Sequence, residues 1–128
     1  MKNILKFYII AFCISLIWEV LHAPLYSHHE SYASHMPMLL WASCADALII
    51  SVVYFIVTKL NIKSQYKLPL LCCSLLNIGF FLEKYSIMTG RWEYTTQMIT
   101  LIGVGISPLI QLPATALLAT KLFTKFQK

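Results

Sequence analysis

The chain has 128 residues, 59% hydrophobic and only 12% charged, with a mean hydropathy of +0.71. Soluble domains carry about 25% charged residues, so composition argues against a water-soluble domain and for a polytopic membrane protein. A net charge of +5 would point to nucleic acid in a soluble protein. Here the Lys and Arg residues flank apolar stretches, where they read as topology determinants and contacts to anionic lipid, and no nucleic-acid partner is expected.

A membrane-crossing helix needs about 20 apolar residues, and the chain has room for four with short connections. The first span is expected over residues 4–22, after Lys2 and around Lys6. Its apolar run is too long for a signal peptide, and Glu19 stands where a cleavage region would be small and neutral. Ala23-Pro24 ends it, because proline lacks a donor and disfavours helix in the residue before it. Residues 23–36 form a loop with Tyr26, His28, His29, Glu30, Tyr32 and His35 but no Lys or Arg. The second span runs over 37–58, with Pro37 in its first turn and Asp46 interrupting its apolar run. Lys59, Lys63 and Lys67 make a basic loop. The third span covers 68–88, residues 89–96 form a turn, and the fourth span covers 97–120, ahead of a tail with Lys121, Lys125 and Lys128.

The expected architecture is therefore all-α: one integral membrane domain over 1–128, a four-transmembrane-helix bundle. Eight of the ten Lys and Arg residues lie at the N-terminus, in the 59–67 loop and in the tail. Cytoplasmic segments are enriched in these residues, so both termini are expected in the cytoplasm, in a bacterial plasma (inner) membrane. All five acids then fall in the outer half or outside, and Trp18, Trp41 and Trp92 fall near the outer interface. Cys13, Cys44, Cys72 and Cys73 lie in apolar stretches and form no CxxC pair; they are expected to be buried free thiols that pack as small hydrophobes.

Polar residues inside the spans carry the functional signal. At about 1.5 Å of rise per residue, Glu19 and Glu83 lie roughly one turn below the outer ends of their helices, and Asp46 lies about 13 Å from Pro37. A charge in hydrocarbon costs about 3 kcal/mol on insertion scales, so each acid should face the bundle interior and have a partner. Helical spacing agrees. Ala11, Ser15, Glu19 and His22 share one face of the first span, Ala42 and Ser43 flank Asp46, and Gly79 stands one turn before Glu83. Thr100, Gly103, Ser107, Gln111 and Ala114 make a small-polar stripe on the fourth span, of the kind that packs helices in lipid. Pro108 and Pro113 should free carbonyls there.

The expected pocket is lined by Glu19, Asp46, Glu83 and Gln111, with His22 and Ser107 as further ligand-binding candidates and Arg91 and Trp92 over its mouth. Asp46 and Glu83 are the candidate catalytic acids, and Arg91 is the distant cation best placed to pair with Asp46. Simpler roles stand beside these: Glu83 paired with Lys84 or Arg91, Glu93 with Arg91, and Glu19 with His22. His28, His29, His35 and Glu30 are metal-ligand types, but their spacing fits no zinc pattern, and no histidine lies deep enough for an axial haem ligand. No metal or cofactor is expected.

Glu83, then Gly90-Arg91-Trp92-Glu93-Tyr94, then Gly103-Val104-Gly105, then Pro108-Leu109-Ile110-Gln111 resembles the membrane domains of carotenoid (lycopene) cyclase type. Those carry an acid, a Gly-x-Trp-x-aromatic turn, a glycine-containing re-entry and Pro-Leu-Glu-Glu. The resemblance covers residues 83–111 and implies an isoprenoid-like ligand. Its paired glutamates are replaced here by Ile110 and Gln111, so protonation by that pair does not carry over. The leading expectation is a membrane protein whose outer-leaflet pocket binds or converts an amphiphilic, isoprenoid-like ligand. As an enzyme it would perform isomerase- or cyclase-like acid–base chemistry. The alternatives are a small proton- or cation-coupled transporter, working as a homo-oligomer, and a non-catalytic assembly subunit whose acids only pair helices.

Overall fold

The computed structural model describes residues 2–27 and 32–127, with the side chains of Lys2 and residues 32–35 left out. His28, His29 and Glu30 lie outside the described residues, as does the side chain of His35. Four helices follow one another: α1 (Lys2–His22), α2 (Tyr32–Lys59), α3 (Ser64–Met88) and α4 (Ile106–Lys125). Each belongs to a segment of 20 to 25 residues that is long and apolar enough to cross a membrane. The chain is an all-α, four-helix integral membrane protein.

α1 packs mainly on α2 and α4, and α3 packs on α4; α2 and α3 meet along a shorter seam. The bundle half that holds the chain ends is packed largely with apolar side chains. Phe7 of α1 stacks on Tyr54 of α2 with ring centroids 4.0 Å apart, and meets Phe123 of α4 edge-on at 5.4 Å. Ile50, Leu71, Leu75, Ala116 and Ala119 complete this core. The outer surface is apolar as well: Ile17, Leu48 and Phe81 are exposed on three different helices. In water such a surface would be a liability; against lipid tails it costs nothing. Cys13 and Cys73 are exposed on this surface rather than buried, and Cys44 and Cys72 are half-buried.

Helix boundaries differ from the sequence expectation chiefly at the starts of α2, α3 and α4; α4 also runs on to Lys125 rather than to 120. α2 begins at Tyr32 and α3 at Ser64, so Pro37 and Pro69 stand inside their helices. The larger difference is α4, which starts at Ile106 rather than near Gln97. Pro108 therefore occupies the first turn, where N–H groups have no helical partner and proline is tolerated. Only Pro113 is interior, and the carbonyl it leaves without a helical donor is that of Leu109. Gly79 lies against this carbonyl: a Cβ there would stand 3.7 Å from Leu109 O and 3.6 Å from Leu112 Cδ1. The absent side chain lets α3 close on α4 one turn from Glu83.

The segment between α3 and α4 is ordered by two glycines in the left-handed region. Gly90 has φ 67°. Its N–H donates to Ile87 O at 3.1 Å, and the Arg91 N–H donates to Ser86 O at 3.0 Å. This is the paired closure of a Schellman motif, which needs a left-handed residue just past the helix end. Further on, β1 (Thr100–Leu101) and β2 (Val104–Gly105) form a short antiparallel hairpin. Its two turn residues, Ile102 and Gly103, have φ of 55° and 74°, as a type I′ turn requires. Ile102 is strained there, since a β-branched side chain disfavours positive φ; Lys84 Nζ donates to its carbonyl at 3.3 Å.

Candidate functional site: a carboxyl-lined cavity

The segment after α3 folds back over the end of the bundle and is fastened there. Thr95 N donates to Leu25 O at 2.9 Å and Ser27 N to Glu93 O at 3.0 Å, while Tyr26 and Tyr94 pair as an isolated antiparallel bridge. The Thr95 hydroxyl adds a second bond to Leu25 O at 3.2 Å. These bonds make residues 91–95 a strap across the helix ends.

Two residues of the strap and Tyr26, which it pairs with, bring three donors to one buried carboxyl oxygen. Glu83 Oε1 accepts from the Tyr94 hydroxyl at 2.6 Å, the Tyr26 hydroxyl at 3.1 Å and Trp92 Nε1 at 3.2 Å. The Tyr94 hydroxyl also accepts from Gly105 N at 2.9 Å, which ties the hairpin to the same cluster. Burial of the Tyr26 phenol, then the nearby Glu83 charge, pushes its pKa well above the ordinary tyrosine value. Burial and the bond to Glu83 push that of Tyr94 up in the same way. Both hydroxyls stay neutral and keep donating.

Below the strap a second cluster joins the other three helices. Gln111 of α4 donates through Nε2 to Glu19 Oε1 of α1 and to Asp46 Oδ2 of α2, both at 2.6 Å. Carboxylates only accept, so the amide nitrogen must be the end facing them, and both of its hydrogens are used. Gln111 is buried. Gln111 thus becomes the bridge between two acids.

A cavity of about 320 Å³ separates the two clusters. Glu19, Asp46, Glu83, Gln111, Tyr26 and Trp92 supply most of its polar wall; Gly79, Leu112, Ile49 and Pro108 supply apolar wall and floor. Six of the eight residues expected at the site therefore converge on it: Asp46, Glu83, Glu19, Gln111, Arg91 and Trp92. The other two do not. His22 is buried behind the cavity between Trp18 and Tyr26, with ring centroids 6.2 and 5.5 Å away. Its Nε2 has no hydrogen-bond partner among the described residues. Ser107 is half-buried and does not line the cavity; it stands in the first turn of α4, whose buried residues include Pro108, Gln111, Leu112, Thr115 and Ala119.

Arg91 does not pair with Asp46. It lies exposed at the cavity rim, its guanidinium 5.3 Å from the Tyr85 ring centroid. Among the described residues no Lys or Arg forms an ion pair with Glu19, Asp46 or Glu83, whose donors are instead an amide, two phenols and an indole. Sequence reasoning missed Tyr26 as a partner of Glu83, and it placed Tyr94 only as the aromatic of a turn. No protein family matches the chain, nor does any curated protein or solved structure.

Proposed function

We propose that the protein binds the polar head of an amphiphilic, isoprenoid-like ligand in this cavity, in the outer half of a bacterial inner membrane. One observation carries the reading: acids from three helices converge on a cavity near the lower end of the ~300–1,000 Å³ range of small-molecule sites. Intramembrane acids are costly and by default mark sites that handle a ligand or a proton. Glu19 and Asp46, held side by side on one amide at the cavity wall, are placed to take a proton from a bound ligand and to give it back. Glu83, with one oxygen accepting three donors, serves better to hold the strap. Chemistry at this site would be isomerisation or cyclisation, which needs only proton delivery and removal. Ser86, on the same wall, donates its hydroxyl to Leu82 O and has no base beside it among the described residues.

Binding is favoured over conduction by the half of the bundle that holds the chain ends. Phe7, Tyr54 and Phe123 close it with one stacked and two edge-on ring contacts, and a transport path needs polar groups through both halves.

Thermal unfolding in mild detergent, with and without a long-chain isoprenoid alcohol, tests the reading. A ligand at a hundred times its dissociation constant stabilises the folded state by about 2.7 kcal/mol. The wild type should gain several degrees, and Asp46→Asn, folded but with an altered pocket, should gain much less. Equal shifts in both proteins, or none in the wild type, contradict it. An Asp46→Asn variant that cannot fold at all would favour acids that serve only helix assembly.

A further inference from the structure

Resting on that reading, we infer that the cavity is loaded sideways from the membrane, through the seam between α2 and α3, by an amphiphile whose head donates hydrogen bonds. Size is the first argument. A cavity of about 320 Å³ is small for a ligand site; it holds a polar head and the first few carbons, and a long tail must leave it. The exits are unequal. Toward the helix ends the strap is tied down by the Thr95–Leu25 and Ser27–Glu93 backbone bonds and by the three donors on Glu83. Toward the other end lie Ile50, Leu75 and Ala116, all fully buried.

The remaining side is the seam between α2 and α3, shorter than the α1–α2, α1–α4 and α3–α4 seams. There the cavity wall is also the protein's surface: Met38, Trp41 and Leu82 line the cavity yet are 44%, 76% and 46% exposed. The α1 and α4 residues on the wall are buried or half-buried. An apolar slot with a tryptophan on its rim, at outer-leaflet depth, suits an acyl or isoprenoid tail lying in lipid.

The head group follows from which polar atoms are committed. Both Gln111 amide hydrogens go to Glu19 and Asp46, and the phenols and the indole go to Glu83. The polar atoms left on the inner wall are carboxyl oxygens and the Gln111 carbonyl, which accept; the Trp41 indole, a donor, stands on the exposed rim. An alcohol or amine head fits them, whereas a carboxylate head meets three acids. Arg91, the one basic side chain on the wall, sits at the exposed rim rather than in the interior.

Photolabelling of the protein in phosphatidylcholine vesicles tests both parts. The probe is a long-chain alcohol with a diazirine on its tail, compared with the fatty acid of the same tail. Saturable label is expected on residues 38–49 and 79–86. The acid should label about tenfold more weakly, since it forfeits hydrogen bonds and meets like charge. Leu82→Trp should slow labelling, whereas Ile17→Trp, on an exposed face of α1 away from the cavity, should not. Saturable label confined to residues 25–27 and 91–95 would overturn the side entrance while leaving binding intact. Equal labelling by acid and alcohol would overturn the head assignment. No saturable label anywhere would overturn the inference and the binding reading together.

Discussion

Gln111→Leu removes the one side chain that, among the described residues, joins α1, α2 and α4 through polar contacts. Its Nε2 makes two bonds of 2.6 Å to acids on different helices. In soluble proteins a hydrogen bond to a charged group contributes about 1.5–3 kcal/mol. Within a bilayer, measured interhelical bonds average about 0.6 and reach about 1.7 kcal/mol, because separated helices also find partners in the membrane. The bilayer figures apply here, so two bonds give a loss of about 1–3 kcal/mol. The upper part of that range is expected, because leucine fills the volume but leaves two carboxyls facing each other without a donor. Unfolding in mixed detergent micelles, titrated with a denaturing detergent and followed by tryptophan fluorescence, measures it. The double variant with Asp46→Asn separates this mechanism from loss of packing. The new amide can donate to Glu19, and one of the two carboxyls is gone. The pair should therefore be non-additive, with the double variant recovering about 1 kcal/mol. A Gln111→Leu variant within about 0.5 kcal/mol of wild type, or strictly additive effects, would refute the bridge.

Other sites give contrasting outcomes in the same unfolding assay. Gly79→Ala should be neutral or slightly stabilising, because its Cβ meets only ordinary contacts at 3.6 and 3.7 Å and alanine favours helix by about 1 kcal/mol. Gly79→Leu should cost about 1–3 kcal/mol by forcing α3 off α4. Gly90→Ala should cost about 1 kcal/mol for the left-handed backbone alone, since nothing lies within 4 Å of a Cβ there. Gly105→Ala should cost more and loosen the hairpin, because its Cβ would stand 2.8 Å from Met98 Sδ and 2.9 Å from the rigid Pro108 ring.

Alkaline titration probes the strap. The raised pKa values of Tyr26 and Tyr94 mean that folding favours their neutral forms. Their contribution is fully present below the ordinary phenol value of about 10 and is lost as pH climbs through the raised range. Phenolate absorbance should therefore show a late-ionising fraction that shrinks in Tyr26→Phe and again in Tyr94→Phe. An unchanged late fraction in both variants would contradict the Glu83 cluster.

Much of this arrangement was legible in the sequence, for identifiable reasons. Hydropathy locates spans because a helix must satisfy its own backbone in lipid. Depth and helical phase then bring Glu19, Asp46 and Glu83 together, because an acid at that depth has to face inward. The start of α4 was not legible in the same way. Residues 98–102, Met-Ile-Thr-Leu-Ile, are as apolar as a span, and hydropathy does not distinguish a hairpin at the membrane surface from a helix within it. The available signal was Gly103 followed by Gly105; Gly103 reads as helix packing in the sequence, whereas it supplies a turn. His22 and Ser107 failed differently. Each has the right helical phase or depth, but phase does not say which neighbour stands between a side chain and a cavity. Tyr26 reaches Glu83 across 57 residues of chain, and no local periodicity reports such a contact. Arg91 was matched to Asp46 by charge alone, whereas the buried acids take neutral donors, which avoids burying a cation beside them.

Native mass spectrometry of the protein purified in mild detergent, wild type beside Asp46→Asn, with extraction and identification of bound lipids, tests the binding claim most directly. A co-purified amphiphile with an alcohol or amine head is expected on the wild type, depleted or absent on the folded variant. Wild-type protein that is folded and carries no ligand, or a ligand retained equally by both proteins, would contradict it.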